Sequence, residues 1–195
     1  MDNLNEDILI NLPKDLQMAF GLTIVERMLP NYLKYIQLGN LGNYYLFRIT
    51  TDKLWEFAKS HKNIEKITEI QLSIENQIPD ADSVTWTNWT SAALDLATAL
   101  TELLNFTKNG NLSHLKMAIQ ASIDSVYMNV NDPKDLQLTH YENIVKDMSD
   151  SIVQRELKIQ QETLKFIDNF KDDINRCINS LYDQWHNTKE GSLNV

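Results

Sequence analysis

Cysteine is nearly absent from this chain. Its one residue, Cys177, cannot close an internal disulfide or furnish a cysteine-based zinc site. Glycine and proline are scarce, at 5 and 4 of 195 residues, which leaves few tight turns and disfavours a sandwich or barrel. Basic residues are outnumbered, 18 Lys and Arg against 27 Asp and Glu, for a formal charge of −9. Nucleic-acid binding rests mainly on Lys and Arg contacts, and no dense basic run offsets that balance, so no nucleic-acid partner is expected. No apolar run approaches the ~20 residues of a membrane span, so no membrane association is expected either. The opening MDNLNEDILINLP is acidic and lacks a basic region ahead of an apolar core. No signal peptide is read there, and the expected compartment is the cytoplasm.

Catalytic signatures are missing as well. There is no G-x-S-x-G, no glycine-rich phosphate loop and no H-E-x-x-H. A di-iron carboxylate bundle needs paired Glu-x-x-His motifs, and none of His61, His114, His140 and His186 follows a glutamate by three. Only DQWH sets Asp183 and His186 at that spacing. Neither a metal nor a cofactor is expected, and no enzyme class is supported.

What the chain does have is a three-four spacing of apolar residues, the pattern of amphipathic helices. With 43% hydrophobic and 23% charged residues it has an ordinary globular composition, and its length suits one domain. Residues 13 to 28 carry Leu16, Phe20, Ile24, Val25 and Met28 on one stripe, with Pro13 placed to open a helix. Pro30 removes a backbone donor and disfavours helix at Leu29, so the spacing predicts a break or sharp kink before the chain restarts. Gly39 and Gly42 then permit a stop. Further helices are predicted over about 44–61, 63–77, 84–107, 112–130 and 134–147. Residues 84 to 107 are apolar almost all round, which marks a central helix.

The longest run spans about 150 to 186, with a seam from Val153, Leu157, Gln160, Leu164 and Ile167 through Lys171 to Ile174, Ile178, Leu181 and Trp185. At ~1.5 Å per residue it would be about 50 Å long. A domain of this size has a radius of gyration of only about 16 Å, so the helix must bend or break, or project. Lys171 marks the place. A projecting second half would expose Ile174, Ile178, Leu181 and Trp185 as an interface, and so the seam predicts a homodimer. The expected fold class is all-α: one bundle of about seven or eight helices over residues 1–186, followed by a flexible polar tail, 187–195.

Polar residues within these helices are the candidates for a site. Asp95 lies inside the nearly all-apolar helix and must be paired or neutralised; Arg48 is its expected partner. Arg48, Asp52 and Glu56 follow one another at i, i+4, either as a solvated ladder or as the lining of a cleft walled by Trp55. Glu156 and Gln160 sit one turn apart, with Gln160 in the seam, where a glutamine more often fixes register than binds a ligand. A ligand-binding or catalytic reading would gather Arg48, Asp52, Glu56, Asp95, Glu156 and Gln160 into one polar cleft. A closed core in which they pair with one another would favour a binding module instead.

Five stretches occur in order: ERMLPNY at 26–32, the row of Arg48, Asp52, Trp55 and Glu56, IPDAD at 78–82, AALDLATALTEL around Asp95 and Glu102, and VQRELKIQQE at 153–162. Together they resemble the YjaG family of small bacterial proteins, a domain family of unknown function, over about residues 16 to 165. The resemblance implies an all-α cytoplasmic bacterial protein and supplies no activity. It makes Glu26, Arg27, Pro30, Asn31, Tyr32 and Trp55 a structural motif, with Asn31 capping a helix and Tyr32 packing. The function expected from the whole sequence is a non-enzymatic helical module that binds a protein partner or a second copy of itself. An immunity-like or regulatory role against a basic partner suits the acidic charge.

Overall fold

In the computed structural model, residues 6–79, 87–130 and 150–193 are described. Eight helices and no strand occur among them: α1 (Glu6–Asn11), α2 (Lys14–Gln37), α3 (Tyr44–Ser60), α4 (Ile67–Glu75), α5 (Asn88–Asn109), α6 (Leu112–Val130), α7 (Ser151–Phe170) and α8 (Ile174–Trp185). The expected all-α class is what the chain adopts. The predicted helix at 134–147 and residues 80–86, Trp86 among them, lie outside the described residues.

Local chemistry accounts for most of the boundaries. The Asn43 side chain accepts the Leu46 N–H to start α3, and the αL residue His61, at φ 54°, ends it. Thr87 and Thr90 form a reciprocal capping box at the head of α5, and Gly110, at φ 63°, stops it. The predicted 150–186 helix breaks where Lys171 indicated. Residues 171–173 leave the helix, and Asp173 restarts it as α8 by accepting the Arg176 N–H. Folding α8 back brings it against α2, α3 and α7.

Two expectations need correction here. Pro30 does not divide α2, which runs unbroken from Lys14 to Gln37 with the proline inside it. The local cost of an interior proline is outweighed by context: every residue from Leu16 to Leu29 is buried, and Asn31, Tyr32 and Tyr35 continue that burial past the proline. The helix finally stops at Gly39, at φ 89°. The central position assigned to 84–107 is therefore shared, because α2 packs on α3, α5, α6, α7 and α8 alike. Gly21 permits its close approach to α5 and α6, since a Cβ there would lie 2.7 Å from a Leu103 methyl and 2.9 Å from a Leu115 methyl.

The second correction concerns the C-terminus. Ile178, Leu181 and Trp185 are buried within this chain and Ile174 packs half-buried against the same core, so the stripe proposed as a dimer interface is core. The tail expected to be flexible is not loose over its described residues. Gly191, Ser192 and Leu193 are buried, and the Ser192 N–H donates to the Arg27 carbonyl at 2.8 Å. The segment 186–193 is a strap laid along α2.

Candidate functional site

The six sequence-predicted site residues separate into four places, and two of these are closed networks built on neighbouring residues of α2. In the first, Glu26 accepts both Arg48 Nη atoms (2.7 and 2.8 Å), Trp55 Nε1 (2.8 Å) and the Asn187 N–H (3.2 Å). Asp52 holds the other edge of the Arg48 guanidinium at 2.7 Å and meets His186 Nε2 at 2.9 Å. The second His186 nitrogen faces the Asn187 side-chain amide at 2.9 Å, so both ring nitrogens are engaged. Burial disfavours the Arg48 charge, yet the hydrogen bonds and charges of Glu26 and Asp52 outweigh it and raise the Arg48 pKa.

The second network is wholly internal. Arg27 donates from Nη2 to Glu156 at 2.7 Å and from Nη1 to the Thr23 carbonyl at 2.8 Å, and its guanidinium lies over the Trp185 ring. Gln160 Nε2 donates to Glu156 at 2.8 Å and to Ser122 Oγ at 3.0 Å. Burial alone would raise the Glu156 pKa. The Arg27 charge and hydrogen bond, helped by Gln160 and Arg155, hold it below the usual glutamate value instead.

Asp95 corrects the expected Arg48 pairing. Arg48 is fully engaged by Glu26 and Asp52, while Asp95 Oδ2 is buried with no hydrogen-bond partner among the described residues. Desolvation, with Asp124 adding like-charge repulsion, pushes its pKa up to about 7. Glu56 points away from all of this, exposed and 3.5 Å from Lys62. Of the motif residues, Asn31 does not cap a helix; it is buried and donates to Ser192 Oγ at 2.8 Å. Tyr32 packs its ring on Phe47, with centroids 4.3 Å apart, and its hydroxyl accepts the Asn43 N–H at 3.1 Å.

A model of the family described as "Protein of unknown function (DUF416)" matches residues 5–194. The chain belongs to this family. A comparison with curated proteins gave no match. Among solved structures, the chain is similar to the crystal structure of a DUF416 family protein from Shewanella baltica. The TM-score is 0.87 at 16% identity, over 97% of this chain and 96% of that one, a likeness of fold.

Within this DUF416 chain, Arg48, Asp52, Asp95, Glu156 and Gln160 line none of three clefts on the described surface. Glu56 lines one of them, a small charged hollow beside Lys53 and Lys62. Sequence reasoning missed His186, Asn187 and Ser192, which close the networks from the strap, and no spacing pattern ties them to α2. Among the described residues no three His, Cys, Asp or Glu side chains gather as a metal site. No helix there is long and apolar enough to cross a membrane.

Proposed function

We propose that this DUF416 protein is a non-enzymatic helical module that acts by binding another protein. In its sharper form, it is a regulatory or immunity-like protein of the YjaG type, acting in a bacterial cytoplasm on a basic partner. The observation that carries this reading is the closure of the polar groups. Of the candidate residues, Arg48, Asp52, Glu156 and Gln160 are committed to partners within the fold, and Asp95 lines none of the three clefts. Glu26 has four donors, and Glu156 is sealed by Arg27 and Gln160. Such groups hold helices in register and are not themselves free for chemistry. With those groups enclosed, recognition falls to the surface, and the chain's formal net charge of −9 attracts a cationic protein.

The test is affinity capture of the native protein from its own cell, then titration of each purified candidate by calorimetry at low and high salt. The expected result is a saturable complex with a basic protein whose association weakens as salt rises. Substrate turnover by the purified chain, or saturable binding confined to acidic proteins, would overturn the reading.

A further inference from the structure

The largest of the three clefts, about 420 Å³, lies where the middle of the strap passes the C-terminal turns of α2. The other two are about 200 and 260 Å³, so this one alone reaches the range of small-molecule sites, roughly 300–1,000 Å³. Pro30 and Leu33 supply apolar lining, and Tyr44 enters from the head of α3. Lys34 from α2 and Lys189 from the strap bring two ammonium groups from separate elements.

The charge pattern here opposes that of the whole molecule. In a chain of net charge −9, neither Lys34 nor Lys189 makes an ion pair among the described residues, and Lys34 is half-buried. The carboxylates whose charge is felt at Tyr44, Glu26 and Asp52, are already committed to Arg48, Trp55, Asn187 and His186. Tyr44 is half-buried, and its hydroxyl has no hydrogen-bond partner among the described residues. Burial pushes its pKa up, which keeps it a proton donor at neutral pH. The cleft thus offers two unpaired cations and a spare O–H donor beside an apolar surface.

The wall carrying Lys189 is also preformed. Asn187 is tied to Glu26, His186 to Asp52, and the Thr188 N–H to the Trp185 carbonyl at 2.9 Å. A site fixed in this way loses little binding energy to ordering its own backbone.

We infer that this cleft binds a small organic carboxylate, whose apolar body rests on Pro30 and Leu33 and whose charged group is held by Lys34, Lys189 and the Tyr44 hydroxyl. This goes beyond the protein-binding reading and stands without it, since the cleft uses none of the closed networks' charges. Neutral molecules of the same shape gain only the apolar contact, and a divalent cation is repelled.

The test uses benzoate and hexanoate as probes, with benzyl alcohol as the neutral control, each titrated into the full-length protein and followed by amide NMR. At least one carboxylate is expected to saturate with a dissociation constant of about 1 mM or tighter, moving the amides of residues 31–37, 44 and 187–189. The double variant Lys34→Met, Lys189→Met removes two unpaired surface charges and so leaves the fold intact. It is expected to weaken carboxylate binding at least about tenfold and leave benzyl alcohol unaffected. Failure of both carboxylates to saturate would overturn the inference, as would equal binding of benzyl alcohol or unchanged affinity in the double variant. None of those outcomes bears on whether a protein partner exists.

Discussion

Glu156 lies 2% exposed and remains charged because Arg27, 1% exposed, meets it at 2.7 Å. Removing one member strands the other in the interior. Arg27→Ala is therefore expected to cost about 3–5 kcal/mol in urea unfolding, whereas the double change Arg27→Met, Glu156→Leu recovers most of that loss. A single variant as stable as the parent would show that the pair does not support the fold. Asp95 behaves oppositely, because its carboxylate has burial without a partner. Its folded pKa of about 7 lies above the ordinary 3.8, so the folded state holds a proton that the unfolded chain has released. The stability it allows is full below about pH 4, falls as pH rises, and levels off above about pH 7. Asp95→Asn mimics the protonated form. It should match the parent at pH 4 and exceed it at pH 8 by roughly 2–4 kcal/mol, at ~1.4 kcal/mol for each tenfold change in proton affinity. Equal stabilities at pH 8 would show that Asp95 finds a compensating partner.

Among the elements, the strap after α8 shows how a segment without periodicity can still be structural. It buries Leu193, supplies the Ser192 hydroxyl to Asn31 and the Ser192 N–H to the Arg27 carbonyl, and adds a fourth donor to Glu26. Deleting residues 187–195 leaves those partners unmet at about 1–3 kcal/mol each, so a loss of about 3 kcal/mol or more is expected in thermal or urea unfolding. An unchanged melting point would return the segment to the status of a frayed end. The misreading of this tail has a physical cause. Helices announce themselves by a stripe every three or four residues, but NTKEGSLNV is fixed by backbone N–H groups and one hydroxyl whose partners lie far back in the chain, at Glu26, Arg27 and Asn31. Such reach leaves no trace in local order. The same holds for Glu26 and Arg48. Arg48–Asp52 was legible as i, i+4, whereas the stronger bidentate contact joins two helices and follows no spacing rule. Pro30 misled for the reverse reason: its local penalty was legible, while the burial around α2 that overrides it was not. Where both levels agreed, at the Lys171 break and the apolar seams, the sequence reading and the structure coincide.

At the scale of the whole molecule, the question is what the seam of α8 covers. Ile178 is 1% exposed, and its helix packs on α2, α3 and α7 of the same chain. A glutamate placed there would have to be desolvated without a partner, at a cost of several kcal/mol. If the seam is core, Ile178→Glu unfolds the protein or lowers its melting point sharply, and the parent's midpoint does not depend on protein concentration. If the seam joined two copies, the same change would yield a folded chain of half the assembled mass. The parent's midpoint would then climb with concentration by mass action. Sedimentation of parent and variant, together with melting at two protein concentrations about tenfold apart, separates the cases. The burial of Cys177, Ile178, Leu181 and Trp185 within one chain leads to the first. A soluble, helical Ile178→Glu variant sedimenting at half the parent's mass would restore the dimer and make α8 its interface.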